Sequence, residues 1–177
     1  ISQTVVTNYS LNYLTTMFKP LAALIAAATF AMPASARVDP GTQRLISTME
    51  EYGVTMQYNP TECSEGHQGS YNTRKVLTLC YNGRPTASDH DTVRHEAFHF
   101  LQHCAAIQRG DNGITPLAVN TTTRNQWVST VLSAGHIHNI KENYPERAHQ
   151  VELEAFAAAH HYSAHNLIGL IKSWCVK

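Results

Sequence analysis

Apolar positions recur at helical spacing from Gly41 to Glu51 (GTQRLISTMEE), and the run stops at Tyr52-Gly53, which predicts a short helix. Val54–Tyr58 (VTMQY) alternates in β-type residues up to Asn59-Pro60, and Lys75–Cys80 (KVLTLC) does so up to Asn82-Gly83. Two strands are predicted there, with a polar loop holding Cys63 between them. After Arg84-Pro85, Thr86–Asp89 offer N-capping side chains, and no glycine or proline follows until Gly110. That interval predicts a helix of about five turns. Residues 111–124 read as a long loop and a plausible cleft wall. A helix over 125–134 follows, then a polar stretch to Tyr144. Pro145, at a typical first helical position, opens ERAHQVELEAFAAAHHY, and a last helix spans Ser163–Cys175. With no repeat, linker or charge run, residues 37–177 read as one domain. The fold class is α+β, a small sheet near the N-terminal side packed with a mostly helical remainder.

Wrapped at 100° per residue, the long helix places Thr92, His95, Glu96, His99 and His103 on one arc. Val93, Ala97, Phe100, Leu101, Cys104 and Ala105 fall on the opposite, apolar side. The expectation is that one face packs and the other carries chemistry.

The N-terminal composition changes the picture of compartment. Met17-Phe18-Lys19-Pro20, the apolar run Leu21–Ala31 and Ala34-Ser35-Ala36 match the three parts of a secretory signal peptide, with cleavage expected after Ala36. The apolar run is too short to be a membrane anchor, which needs about 20 residues. Residues 1–16 carry no charge and precede a signal that would be complete from Met17, so they read as an upstream extension. An oxidising destination, secreted or periplasmic, permits disulfides among Cys63, Cys80, Cys104 and Cys175. Four cysteines allow three pairings. We favour Cys63–Cys80, clipping the segment before the second strand, and Cys104–Cys175, tying the C-terminus to the long helix. Lys plus Arg and Asp plus Glu balance at 13 each, so the charge points to neither nucleic acid nor, once the signal is removed, a membrane surface.

The long helix carries His95-Glu96-Ala97-Phe98-His99. In a chain with 11 histidines this pattern arises by chance roughly 3% of the time, so its meaning rests on context. On a helix, positions four apart lie on one face about 6 Å apart. Two imidazoles can then reach one metal while the intervening glutamate acts as general base toward water. A catalytic zinc site normally takes a third protein ligand. His103 lies about 12 Å along the axis from His95, too far to share the ion, and reads as a residue lining the cleft or its edge. Glu152 and Glu154 are the other candidates. They lie about 200° apart around their helix, so only one can face the long helix. Glu152 shares an arc with Ala148, Ala155, Phe156 and Ala159, where a carboxylate needs a partner such as a metal. Glu154 shares its arc with Arg147 and His161 and reads as solvated. Glu152 is therefore favoured, with Glu154 as the alternative.

His95-Glu96-Ala97-Phe98-His99 followed by Glu152-Leu153-Glu154-Ala155 on a later helix resembles the small Glu-type zinc metallopeptidases, the gluzincins. The resemblance spans Ser88–Ala159. It implies an α+β fold with a small sheet before the motif helix, zinc held by His95, His99 and Glu152, and Glu96 activating water. Phe156 stands where such enzymes often place Asp or Asn, so support for a ligand has to come from elsewhere. The implied activity is a secreted zinc-dependent peptidase acting on a peptide or protein. His103, His138, Tyr144, His160 and Tyr162 are chemically able to stabilise the oxyanion. Two alternatives use the same ligands: a metal-binding module without activity, and a metal-dependent amidase on a non-protein amide.

Overall fold

The computed structural model describes residues 39–61, 63, 68–81 and 87–176. The signal-peptide reading, the upstream extension and the cleavage site therefore lie outside the described residues.

Helix α1, Pro40–Glu51, begins where Asp39 accepts hydrogen bonds from the Gly41 and Thr42 amides and Pro40 supplies a preset φ. It ends in a turn whose Gly53 adopts φ 86°, a left-handed conformation open to glycine. Strands β1 (Thr55–Tyr58), β2 (Gly69–Asn72) and β3 (Val76–Leu79) form a sheet in the order β1-β3-β2. β1 pairs parallel to β3 and β2 antiparallel to it, with Tyr71 opposite Leu77. β2 belongs to the segment read from sequence as a polar loop. Its residues GSYN lack apolar alternation, and tertiary pairing makes the strand instead.

Helix α2, Ala87–Gln108, is followed by Gly110 at φ 80°. Helix α3 spans Thr121–Val131, capped by Asn120, and α4 spans Ala134–Asn143, capped by Ser133. Predicted loop residues 121–124 are thus helical, and α4 occupies the stretch read only as polar, with no element assigned. Both corrections have one cause: a side-chain cap starts each helix, and a few apolar contacts hold it. Val128, Leu132 and Ile140 form a small cluster with Ala157. Pro145 is extended and precedes a 3-10 turn, Glu146–Ala148, so it does not open α5 directly. Helix α5 spans His149–His161 and α6 Ala164–Trp174, the latter begun by a capping box between Ser163 and Asn166. The fold is α+β as expected.

The main core joins Leu45, Ile46 and Met49 of α1, Leu77 and Leu79 of β3, Phe100 and Leu101 of α2, and Leu167 and Ile171 of α6. α5 enters it through Ala155 and Ala158, and its buried run of alanines lets its backbone approach α2 closely. Burial of α2 is more complete than its two-faced pattern implies, because every residue from His95 to Ala106 is buried. The supposed chemical face is covered by β2 and α5.

Two disulfides, Cys63–Cys80 and Cys104–Cys175, match the favoured pairing. The first fastens the chain entering β2 to the end of β3; the second fixes the C-terminus to α2. Among the described residues no helix is long and apolar enough to cross a membrane. The bridges enclose 17 and 71 residues of separation, and chain entropy gives about 3 and about 4 kcal/mol for such loops. Replacing Cys104 and Cys175 by alanine is therefore expected to lower the urea midpoint more than replacing Cys63 and Cys80. Equal losses would show that the longer loop retains structure when unfolded.

Candidate metal centre

One face of α2 presents His95, Glu96 and His99 toward α5, where Glu152 sits one turn into its helix. The Nε2 atoms of His95 and His99 lie 3.0 Å apart. Glu152 Oε2 lies 3.2 Å from the first and 3.5 Å from the second. Three ligand atoms around one tetrahedral ion with bonds of 2.0–2.1 Å would be separated by about 3.3 Å. The three side chains thus fit a single small divalent ion without rearrangement, and among the described residues they are the only such group.

The electrostatics of the cluster are mutual. Burial would raise the Glu152 carboxyl, but the imidazoles of His95 and His99 outweigh it and hold the group down at about 2. Burial would lower His99, and hydrogen bonding to Glu152, with the charges of Glu96 and Glu152, holds it above the usual imidazole value instead.

The ligands open into a cleft of about 600 Å³ whose walls include Gly69, Ser70 and Tyr71 of β2, Glu96, Tyr144, Phe156 and His160. Glu96 is 5% exposed and lies on this cleft. β2 can run beside it only because residue 69 is glycine. A Cβ there would stand 2.7 Å from Thr92 Cγ2, 3.1 Å from the Thr78 carbonyl oxygen and 3.4 Å from Glu96 Cγ. Phe156, which departs from the pattern of the resemblance, packs its ring on His95 with centroids 4.3 Å apart. It holds that imidazole by contact, and His95 Nδ1 is buried without a hydrogen-bond partner.

His99 is held differently. Its Nδ1 lies 2.8 Å from Gln102 Oε1, and Gln102 Nε2 donates to the Val151 carbonyl oxygen and to Glu154 Oε2. Glu154 is 2% exposed and also accepts from the amides of Leu117 and Ala118. The solvated reading of Glu154 is thereby overturned, because Gln102 and the loop 111–120 cover the face on which it lies. It points away from His95 and His99 and is not the third member of their group. The loop, in turn, packs against Glu154 on the far side of α5 and contributes nothing to the cleft. Sequence reasoning passed over Gln102, although a polar residue among Phe100, Leu101, Cys104 and Ala105 was a signal that it needed partners.

Of the five candidate oxyanion donors, Tyr144 and His160 line the cleft. Burial, then the charges of Glu152 and Glu96, push the Tyr144 hydroxyl up to about 12, so it remains a donor at neutral pH. Tyr162 packs on Phe98 and Trp127, and His138 is exposed on α4. His103 is not at the cleft edge. It is 4% exposed, with Nδ1 2.8 Å from the Tyr71 hydroxyl. Burial lowers the imidazole, helped by the charge of Lys75, and burial raises the phenol, so Tyr71 donates and His103 accepts. This bond ties β2 to α2 behind the cleft.

Comparison with protein-family models, curated proteins and solved structures finds no match to the chain.

A folded-state imidazole held below its usual value stabilises the protein above the unfolded pKa near 6.5, and that contribution is lost as pH falls through the lower folded value. The urea stability of the parent is therefore expected to fall below pH 6.5 faster than that of His103→Asn, by at most about 1.4 kcal/mol per pH unit. The variant keeps an acceptor for Tyr71 and cannot titrate. Parallel profiles would show that His103 protonates equally in both states.

Proposed function

We propose that the chain is a zinc-dependent peptidase that works in an oxidising, extracytoplasmic compartment. The observation that carries the reading is the triangle of His95, His99 and Glu152 ligand atoms, 3.0–3.5 Å on a side, with Glu96 on the same cleft. Two imidazoles and a carboxylate suit zinc among the common divalent ions. When bound there, zinc supplies a Lewis acid that polarises a carbonyl and makes water more acidic.

The residues of the chain carry the remaining roles. Glu96 accepts a proton from the attacking water on its carboxylate and releases it to the departing amine. The Tyr144 hydroxyl, protonated at neutral pH, is placed to donate to the oxygen on which negative charge develops, with His160 as a second donor on the same wall. Tyr71 and the glycine at 69 hold β2 against α2, so one edge of the sheet forms a cleft wall. β2 pairs with β3 on one side only among the described residues. Its other edge offers backbone donors and acceptors to an extended polypeptide, which favours a peptide over a non-protein amide. Two disulfides support the extracytoplasmic setting.

Purified parent is expected to hold about one zinc per chain, and Glu152→Ala to lose it. Glu96→Gln is expected to keep the zinc and lose at least about 100-fold of peptide cleavage. Equal cleavage by parent and Glu96→Gln would remove the peptidase reading. Zinc retention without cleavage in either would favour a binding module.

A further inference from the structure

Gln102 and Glu154 take no part in the reaction proposed above, yet both are buried polar side chains fully engaged with each other and with the backbone. Their hydrogen bonds fix more than their own orientation. The two protons on Gln102 Nε2 are directed to two acceptors, the Val151 carbonyl oxygen at 3.1 Å and Glu154 Oε2 at 2.8 Å. An amide turned the other way would set its oxygen against both of these oxygens. The side-chain oxygen of Gln102 therefore faces His99 Nδ1, and that nitrogen has to carry a proton to make the 2.8 Å contact. With Nδ1 protonated, Nε2 is the nitrogen left to face His95 and Glu152 as a ligand.

We propose that Gln102 and Glu154 are a positioning pair that presents His99 Nε2 to the metal and couples this presentation to the loop 111–120. The coupling runs through Glu154, whose carboxylate accepts from Gln102 at 2.8 Å, from the Leu117 amide at 2.6 Å and from the Ala118 amide at 2.8 Å. Arg124 secures the same turn of loop, donating to the Ala118 carbonyl oxygen and to Gln150 Oε1. The backbone at 117–118 is thus two side chains away from a ligand. Any change that displaces it alters the acceptor seen by His99, and by linkage a metal held by His99 steadies the loop. His95 has no counterpart to this arrangement, since its Nδ1 is unpartnered and Phe156 fixes its ring. The pair acts on one of the two histidines only.

The inference rests on the reading of His99 as a ligand, and two measurements on the full chain separate the two. The first is the imidazole NMR spectrum of nitrogen-labelled protein. A solvent-protected proton on His99 Nδ1 is expected with or without zinc, and it is expected to become exchangeable in Gln102→Met, which keeps the size of the side chain and removes its acceptor. The second is zinc affinity by competition with a chromophoric chelator, where Gln102→Met is expected to bind roughly 10–100-fold more weakly. Glu154→Gln retains an acceptor for Gln102 but turns a donor toward one loop amide. It is expected to speed amide exchange at Ala118 more than at Leu117 and to weaken zinc binding several-fold, and it serves as the second variant should Gln102→Met not fold. A protected Nδ1 proton in a parent that takes up no zinc would uphold the positioning of His99 and overturn the metal reading. An unprotected Nδ1 in the parent, or zinc affinity unchanged in Gln102→Met or in Glu154→Gln, would overturn the pair.

Discussion

The packing of α2 against α5 is the constraint on which the other elements depend. Its apolar part is small, because α5 contributes mostly alanine, and that lets the two helices approach closely. Into the same interface the sequence places His95, His99 and Gln102 from one helix and Glu152 and Glu154 from the other. Buried polar groups without partners cost about 1–3 kcal/mol each. These five therefore largely satisfy one another, in two groups joined by the His99–Gln102 bond. Glu152 meets the two imidazoles on the cleft side, and Glu154 meets Gln102 and the loop on the far side. Two carboxylates two residues apart on one helix have to part in this way, since their directions differ by about 200°.

That angular argument was legible in the sequence, and it correctly kept Glu154 out of the His95–His99 group, but the expectation that only one carboxylate faces the long helix fails, because Glu154 reaches α2 through Gln102. What it could not supply was the surroundings of the second arc. Arg147 suggested solvent, but Arg147 lies in the 3-10 turn before α5, and the loop residues Leu117 and Ala118 arrive from 36 or more residues away. Contacts of that range leave no local trace. The long helix, the first helix, β1, β3 and the last helix were legible because a capping residue, a glycine or proline stop, or a residue pattern marks each. The disulfide pairing was one of three that the sequence left open, and the favoured one is the one formed.

The elements that were missed share a feature. β2 is Gly-Ser-Tyr-Asn, and α4 begins Ala-Gly-His-Ile-His, both poor in the residues that define a period. Each is held by a neighbour: β2 by its register with β3 and the Tyr71–His103 bond, α4 by Ile140 against Leu132 and Ala157. β2 also forms a wall of the cleft, and Tyr144, the residue that ends α4, lines it. A strand with a larger residue at 69 would have stronger intrinsic β-propensity, but it would collide with Thr92 and crowd the Thr78 carbonyl oxygen. The weakness of the sequence signal and the geometry of the wall have one origin.

The same economy governs the ligands. The Nε2 atoms and Glu152 Oε2 stand within hydrogen-bonding reach of one another, and this contact, against burial, holds the carboxyl low and His99 high. A divalent ion held in the triangle would replace the imidazoles as the main positive partner of Glu152. Such binding would weaken as the pH falls, because the ligands have to be deprotonated. Gln102 would make this exchange directional: its oxygen faces His99 Nδ1, which leaves Nε2 as the atom presented to Glu152 and to an ion.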